Sequence, residues 1–581
     1  MVDEIIKYID KLIGVINPRK GIYVALDGAA PMCKVKQQKC RRFKSANDKI
    51  IFDNLKKKHN VPYDPNAWNS SAISPGTAFM ERVHVRILQW ANHYNDSFPA
   101  TLAEDKKPDR KIIYSSYHTP MEGEHKLIQF IRDNSAANQS FNYVIYGLDA
   151  DLIFLSLALG NQKIFLLRED AQVKVNGEER MDVGEFCYVN MDALKDFIMC
   201  VHDNCHRKLL LTEYEAIRTT SAMAPTDSTA GEPSWQEVQS KRAAGKPDPE
   251  AEAYISARIV PANIHKRILH DFVLICFFLG NDFLPHLPAL NIYTTGLDII
   301  IFQYVSLMSK YQWNRFFITI SDAPIDVQID SELFVELLLG LGEVENRLLV
   351  DAFKAKRRKP HCPFKNPYDI EKFKIENLDF PFKDPVMLGH GKSEHWRERF
   401  YSYYGIRKAT SESDKMRYQS ELNHICQQYL LGIKFIAQYY FIGCPSWEWF
   451  YPYDFPPFLN DLQCYVRHEE FRFDALSFEL GAPMKPLHQL LTILPVAASH
   501  LLPKALQALI TNPLTQLAQL YPVNFPVDLL YKTKFWQGVP MLPRLNPKLL
   551  KAVFETNEQY IVDPEQRKRN EVLDCFEFQV W

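Results

Sequence analysis

Short apolar runs alternate with helical patterns at the start of the chain, and this alternation constrains the fold more than any other feature. The apolar runs are Ile22–Asp27, Lys111–Ser115, Asn142–Leu148 and Lys163–Leu167, with helical patterns at 41–58, 78–93 and 125–133 between them. The alternation predicts an α/β fold in which a mostly parallel sheet is flanked by helices. Ligands of such sheets bind at the carboxyl ends of the strands, so residues there are the first candidates for function.

The composition changes further along the chain. Residues 216–250 are rich in Ala, Ser, Thr, Pro, Gly and charge, which predicts a disordered insertion. Beyond it come aromatic residues, prolines and helical patterns such as 420–440. We therefore predict a first region over 1–310 that carries the insertion, and a mainly helical second region over 311–581 that packs against it.

Bulk properties restrict the partners. The net charge is −2, so a nucleic-acid partner would have to bind a local basic surface. The eleven cysteines are scattered along the sequence, and no secretory signal precedes them. This pattern favours a reducing intracellular compartment. The apolar run 272–280 is far shorter than the ~20 residues of a membrane span, and we expect no membrane partner.

Six acidic residues lie at strand or helix ends: Asp27, Glu122, Glu124, Asp149, Asp151 and Asp282. Hard divalent cations such as Mg2+ or Mn2+ prefer several oxygen ligands, and paired ions can activate water for phosphodiester cleavage. Solvated loop charges and helix N-terminal acids are the alternative interpretation of each residue taken singly. Their joint occurrence favours a metal site.

Residues 34–44, KVKQQKCRRFK, contain six basic residues and no acid. On a helix, Lys34, Gln38, Arg41 and Arg42 fall on one face. Such a face suits a terminal phosphate, because arginine makes bidentate contacts and lysine supplies a point charge. A solvated basic helix or a general phosphate-backbone patch is the alternative, and the pattern alone favours it.

Several segments resemble, in order, motifs of the 5'→3' exoribonuclease family. They are DGAAPMCKVKQQKCRRFKSA (27–46), ISPGTAFM (73–80), PMEGEHKLIQFIR (120–132), YGLDADLIFLSL (146–157) and DFVLICFFLGNDFLPHLPAL (271–290). The segments at 444–462 and 523–553 resemble the family's second conserved region. The resemblance implies a PIN/FEN-like nuclease core within 1–310 and a helical second conserved region that packs over the active site.

The resemblance also implies an activity. Family members are Mg2+- or Mn2+-dependent enzymes that processively remove mononucleotides from single-stranded RNA with a 5'-monophosphate, in RNA processing and decay. The six acids would bind metal, and Lys34, Gln38, Arg41 and Arg42 would hold the 5'-phosphate. A tryptophan would stack on the terminal base, and both Trp447 and Trp449 are candidates; such stacking is tolerant of sequence.

The chain departs from the family pattern at its beginning. Roughly 60 residues would precede Met1, with a strand and one more metal-binding aspartate, and their absence would open a sheet edge. Three explanations are open: an incomplete sequence, a segment supplied by another chain, and a catalytically dead RNA-binding or scaffold relative.

Smaller departures occur inside the motifs. Four residues replace the usual family residue at their position: Met32 replaces an arginine, Lys36 an asparagine, Met121 a glycine and Asp454 a histidine. A structure-specific DNA nuclease would share the acids but not the QQ…RRF and GNDFLPHLP motifs. The resemblance is closer to the shorter, nuclear branch, so we expect a nuclear protein, with the cytoplasm as the alternative and an activating protein partner left open.

Overall fold

The computed structural model describes residues 1–65, 67–94, 110–135, 141–160, 163–169, 173–175, 178–180, 186–222, 248–322, 325–356, 361–380, 384–407, 411–468 and 470–580. The apolar runs of the first region form strands, and the patterns between them form helices. The strands are β1 (Gly21–Ala25), β2 (Arg110–Ser115), β3 (Asn142–Tyr146), β4 (Lys163–Glu169), β5 (Val173–Val175), β6 (Glu178–Arg180), β7 (Phe186–Asn190), β8 (Ile318–Asp322), β9 (Ile325–Ile329), β10 (Val527–Asp528), β11 (Val539–Pro540) and β12 (Phe576–Val580).

Two three-stranded sheets carry the first region. In one, of order β1-β2-β12, β1 pairs with β2 in parallel and β12 pairs with β2 antiparallel. In the other, of order β3-β4-β7, β3 and β4 are parallel and β7 is antiparallel to β4. The remaining strands form antiparallel pairs, β5 with β6, β8 with β9 and β10 with β11. Asp27 follows β1 in the first of these sheets, and Asp149 follows β3 in the second.

The helices of the first region follow the predicted patterns. They are α1 (Val2–Ile16), α2 (Met32–Lys58), α3 (Ala78–His93), α4 (Gly123–Asp133), α5 (Asp151–Leu159), α6 (Met191–Ala222), α7 (Pro249–Ser256), α8 (His265–Cys276) and α9 (Gly296–Lys310). Local capping explains some of the boundaries. Helix α3 begins after Thr77, whose hydroxyl accepts a hydrogen bond from the Met80 N–H at 3.3 Å.

The second region is mainly helical, as predicted. Its helices are α10 (Ser331–Lys356), α11 (Pro367–Glu376), α12 (Ser393–Tyr403), α13 (Glu412–Phe441), α14 (Leu459–His468), α15 (Pro486–Ile493), α16 (Lys504–Thr511), α17 (Pro547–Glu558) and α18 (Pro564–Lys568). Helix α13 begins after Ser411, whose hydroxyl accepts from the Asp414 N–H, and its C-terminal half is almost wholly buried.

Two apolar clusters hold the regions together. The larger one takes fully buried residues from both regions, among them Leu155 of α5, Val273 of α8 and Ile433 of α13. The other packs Val35 and Phe43 of α2 against residues from 484 to 561. Burial of such a side chain stabilises the fold by roughly 1.5–3 kcal/mol. Helix α2 is therefore fixed on one side by the second region.

The α/β fold class is confirmed, although the sheets are smaller and more mixed than predicted. The apolar pattern does not encode strand direction, so it could not show that β7 and β12 run antiparallel. Residues 216–222 of the predicted insertion belong to α6, and residues 223–247 lie outside the described part of the chain, so the insertion stays a prediction. Among the described residues, no helix combines the length and the apolar character needed to cross a bilayer. The domain boundary at 310 stays a prediction.

Candidate active site

The segment after β1 is hydrogen-bonded to the segment before α4. The Gly28 N–H donates to the Met121 carbonyl at 2.9 Å, and the Met121 N–H donates to the Ala29 carbonyl at 2.8 Å. A Cβ on Gly28 would lie 1.8 Å from the Thr119 carbonyl oxygen, so only glycine fits there. Met121 has a φ of 97°, which side-chain-bearing residues rarely adopt. This backbone aims the following residue, Glu122, into the site.

Helix α4 carries two of the predicted acids at its start. Asp27 Oδ1 accepts a hydrogen bond from the Gly123 N–H at 2.8 Å and thus caps the helix from another strand. Glu122 and Glu124 therefore lie beside Asp27. Asp27 thus acts as a helix cap, which was the alternative interpretation of the acidic residues. The cap uses only Oδ1, so Asp27 Oδ2 can still face a ligand.

The acids form two adjoining clusters among the described residues. The ligand atoms of Glu122, Glu124 and His125 lie within 4.8 Å of one another, and so do those of Glu124, Asp149 and Asp151. Glu124 belongs to both clusters. Asp149 Oδ1 accepts from the Asp151 N–H at 3.2 Å, which fixes the pair at the start of α5. Carboxylates from two strand ends thus meet, as the sequence predicted.

Asp282 joins this group through α2. The Lys34 ammonium lies 2.6 Å from Glu122 Oε1 and 2.5 Å from Asp282 Oδ2. The side-chain amide of Gln37 donates to Asp282 Oδ1 at 3.1 Å. Burial disfavours the charge on Lys34, but Glu122 and Asp282 outweigh it and raise the pKa of Lys34 above its ordinary value.

The carboxylates have insufficient positive charge around them. Burial, together with Glu122 and Asp151, raises the pKa of Glu124 to about 9. Burial and then Asp282 raise the pKa of Asp151 to about 7. Burial also raises the pKa of Glu122, although Lys34 opposes the shift. An all-carboxylate donor set with this excess of negative charge fits a hard divalent cation such as Mg2+ or Mn2+.

Three of the four predicted phosphate-binding residues share a surface. Arg42 Nη2 lies 2.6 Å from the Ser74 hydroxyl, Gln38 Oε1 accepts from the Gln489 amide at 3.2 Å, and Arg41 is exposed. Burial and Arg41 lower the pKa of Arg42 to about 10, while Asp27 opposes the shift. The buried Arg42 Nε has no hydrogen-bond partner among the described residues.

Lys34 is placed differently from the prediction. It lies in the first turn of α2 and is 5% exposed, and its ammonium faces the acids rather than the Arg41–Arg42 surface. Helical side chains point toward the N-terminus of their helix, which directs Lys34 toward Glu122. The wheel projection grouped it with Arg41 and Arg42 because it ignores this tilt and the length of α2. The phosphate-binding role of all four residues stays a prediction.

The two candidate tryptophans have different surroundings. Trp449 stacks on Phe435 with ring centroids 4.7 Å apart and packs edge-on against Phe478, so it belongs to the main apolar cluster. Trp447 is half-buried and is held by its backbone, which bonds to Met32 and Leu480. Core packing therefore accounts for Trp449, and Trp447 is the better candidate for contact with a base.

Sequence reasoning missed several residues of the site. His125 and Ser74 lie inside motifs that were noticed, so their position was a usable signal. Gln489 and the tyrosines of α13 carried no signal, because they come from distant parts of the chain. Tyr439 donates to Glu122 Oε2 at 2.8 Å, and Tyr440 forms a side-chain hydrogen bond with Asp151.

Two protein-family models match the chain. Residues 1–170 match the model described as XRN 5'-3' exonuclease N-terminus, and residues 263–366 and 365–578 match the Xrn1 helical domain. Together these matches cover the acidic clusters, the Arg41–Arg42 surface and the tyrosines of α13.

Curated relatives match over nearly the whole chain. The 5'-3' exoribonuclease 1 of Homo sapiens is 28% identical over 98% of this chain and 31% of its own length. The 5'-3' exoribonuclease 2 of Arabidopsis thaliana is 27% identical over 98% of this chain and 60% of its own length, and that of Candida albicans is 26% identical over 99% and 67%. The chain thus spans between about a third and two thirds of these relatives. It belongs to the XRN 5'-3' exonuclease family.

Proposed function

We propose that the protein is a divalent-metal-dependent, processive 5'→3' exoribonuclease that degrades 5'-monophosphorylated RNA to mononucleotides. The observation that carries the proposal is the adjacency of the acids and the Arg41–Arg42 surface. Asp27 caps the helix that carries Glu122 and Glu124, and it also interacts electrostatically with Arg42. The negative and positive halves of the site therefore adjoin.

The acids would hold the cations. Glu124, Asp149 and Asp151 offer one set of oxygens, and Glu122, Asp282 and Asp27 extend it. When bound, the metal ions would lower the pKa of a water molecule and stabilise developing charge on phosphate oxygens. Lys34 would hold Glu122 and Asp282 in position, because its ammonium contacts an oxygen of each.

The basic residues would select the 5' end. The partly exposed Arg42 guanidinium, held by Ser74, would donate to a terminal phosphate, and the exposed Arg41 would neutralise further charge. A phosphate anchored there would set the position of the first phosphodiester bond relative to the acids. Release of one nucleotide would leave a new 5'-phosphate, so the strand could advance without dissociating. Trp447 would stack on the terminal base, which favours no sequence.

The test compares RNAs that differ only at the 5' end. Purified protein is incubated with 5'-monophosphate and 5'-hydroxyl RNA, in Mg2+ or in EDTA. We expect mononucleotides only from the monophosphate RNA and only with metal. Endonucleolytic fragments, or equal cleavage of both RNAs, would contradict the proposal.

The Arg42→Ala variant tests the pocket. It should reduce the preference for the monophosphate, because a terminal phosphate loses its donor. Arg86→Ala is the control, since Arg86 lies on α3 and pairs with Asp3. Unchanged discrimination in Arg42→Ala would count against the pocket assignment.

A catalytically dead RNA-binding relative is the second candidate, and one observation favours it. The Lys34 ammonium already neutralises part of Glu122 and Asp282, which reduces the need for a cation. Intact monophosphate RNA that is nonetheless bound, in Mg2+ and in Mn2+, would support this alternative.

The cellular setting is also a proposal. The resemblance of GNDFLPHLPAL to the shorter family branch favours the nucleus over the cytoplasm, and the relatives include exoribonucleases named 1 and 2. Imaging of the tagged full-length protein would decide between the compartments, and affinity capture with the same tag would detect an activating protein partner.

A further inference from the structure

Two consecutive tyrosines at the end of α13 reach two different carboxylates of the acidic site. The Tyr439 hydroxyl donates to Glu122 Oε2 at 2.8 Å, and the Tyr440 hydroxyl is hydrogen-bonded to Asp151. Their exposed fractions are 0% and 1%. Glu122 precedes α4 and Asp151 begins α5, so the second region contacts both clusters through adjacent residues of one helix.

Packing fixes both rings. The Tyr439 ring lies 3.9 Å from the His125 ring and 5.2 Å from Phe283, and it stacks on Phe435. The Tyr440 ring lies 5.1 Å from Phe277. Successive helical residues point about 100° apart, which lets neighbours reach separate acids. Because both rings are buried and packed against neighbouring rings, each hydroxyl is held at its carboxylate.

We propose that Tyr439 and Tyr440 are positioning residues through which the helical second region orients Glu122 and Asp151 for cation binding. This inference rests on the proposed function. Each phenol occupies one acceptor position of its carboxylate and leaves the remaining oxygen lone pairs for a metal ion. The tyrosines touch neither RNA nor the reacting atoms; they act through the acids.

The arrangement has a thermodynamic consequence. If docking of α13 favours cation binding, then cation binding must favour docking of α13 to the same extent. A cation should therefore reduce local opening at the end of α13 even in the absence of RNA. A tyrosine that merely fills space would not produce this effect.

The test uses Tyr439→Phe, Tyr440→Phe and the double variant, with Mn2+ as the probe. Mn2+ affinity is measured by electron paramagnetic resonance without RNA, and kcat and KM are measured with monophosphate RNA. We expect each single variant to bind Mn2+ on the order of 10-fold more weakly, which is typical for residues that orient metal ligands. At fixed sub-saturating Mn2+, kcat should fall while KM for RNA changes little.

Tyr521→Phe is the matched control, because Tyr521 is equally buried and its hydroxyl donates to the Leu491 carbonyl at 2.8 Å, in the other apolar cluster. Its Mn2+ affinity should equal that of the wild type. Equal affinities in all variants would overturn this inference alone. A wild-type chain that binds no Mn2+ would overturn it together with the proposed function.

Hydrogen exchange on the wild type keeps the inference testable if a variant fails to fold. Addition of Mn2+ should slow amide exchange over residues 436–441 of α13 at least severalfold, and residues 486–493 of α15 serve as the internal reference. Equal exchange with and without Mn2+ in α13, despite measured Mn2+ binding, would overturn it.

Discussion

Buried and half-buried carboxylates occur in two settings in this protein, and they differ in what surrounds them. Asp271 on α8 is 0% exposed and accepts hydrogen bonds from Phe317 N–H at 3.0 Å, Ile318 N–H at 2.9 Å and the Tyr304 hydroxyl at 3.1 Å. Its oxygens are thus satisfied by the protein itself. Asp271 joins α8 to β8, and its role is structural.

Glu345 on α10 belongs to the same class. It accepts from the Leu459 N–H at 2.6 Å and the Asn460 N–H at 3.1 Å, so it satisfies the first amides of α14, and Arg397 lies 3.0 Å away. A carboxylate at a helix N-terminus is favoured by the helix dipole as well. Backbone amides, the Asn460 side chain and Arg397 together supply donors to both of its oxygens.

Glu124 represents the other setting. None of the residues that the structure describes donates a hydrogen bond to its side chain, and its nearest charged neighbours include Glu122 and Asp151. Burial raises the pKa of Glu124 and of Asp271 alike, so a raised pKa does not separate the two settings. The supply of donors does: Glu124 is half-buried and receives no hydrogen bond from the described residues, which supports the proposed cation site.

The variant Glu124→Gln gives the strongest test of the difference between the two kinds of carboxylate. Cleavage should fall by about 10^3-fold or more, because a metal ion supplies several kcal/mol of transition-state stabilisation and each 1.36 kcal/mol is tenfold in rate. RNA binding and metal-free thermal stability should persist, since among the described residues Glu124 has no hydrogen-bond donor that the amide would leave unpaired. Asp149→Ala should behave in the same way. Single-turnover cleavage and RNA binding are the measurements.

The matched structural change is Asp271→Asn. It should lower the free energy of unfolding by roughly 2–3 kcal/mol, because an amide nitrogen replaces an acceptor that faces a buried N–H. Activity per folded molecule should stay unchanged. Urea unfolding measures the loss, and Asp298→Asn, on the exposed side of α9, is the control. A stable Asp271→Asn variant that is catalytically dead would reverse the two assignments.

Metal addition sharpens the comparison further. Mn2+ at ten times its Kd should stabilise the folded wild type by about 1.4 kcal/mol, since it binds only the native state. Asp271→Asn should keep this increment and Glu124→Gln should lose most of it. Thermal unfolding with and without Mn2+ measures the difference, and an increment that survives in Glu124→Gln would place the cation elsewhere.

The sequence was informative where the signal is local. The strand-ending acids, the span of α3 and the helical second region follow from periodicity and motif order, and the structure brings all six acids together. Asp27 and Asp149 were identified as strand-ending acids and Glu122 as an acid at a helix start, although Asp27 and Asp149 follow strands of two different sheets and not of one. Local sequence patterns therefore identify the acidic residues of the candidate site.

Partners from distant parts of the chain were not predictable. Gln489 contacts Gln38 across more than 400 residues, and Tyr439 contacts Glu122 across more than 300, so no spacing rule connects them. Lys34 was assigned to the phosphate face because a helical wheel shows angle but not height along α2. The tilt of its side chain toward the start of α2, together with the packing that brings Glu122 and Asp282 there, makes its ammonium face the acids.

The smallest effect in this comparison is expected for Asp454, a partly exposed carboxylate that is paired with Lys36. Each departs from the family pattern, and their charged atoms lie 2.9 Å apart, with 22% and 38% of the side chains exposed. Lys36 also donates to the Tyr451 and Tyr453 carbonyls at 3.0 and 2.7 Å.

A double-mutant cycle with Lys36→Asn and Asp454→His, measured by urea unfolding, should give a coupling of about 0.5 kcal/mol, as expected for a partly exposed pair. Strict additivity would mean that the two departures are independent. Coupling would mean that each of the two substitutions compensates for the other. It would also mean that solvent and Lys36 together stabilise the Asp454 carboxylate without a metal ion.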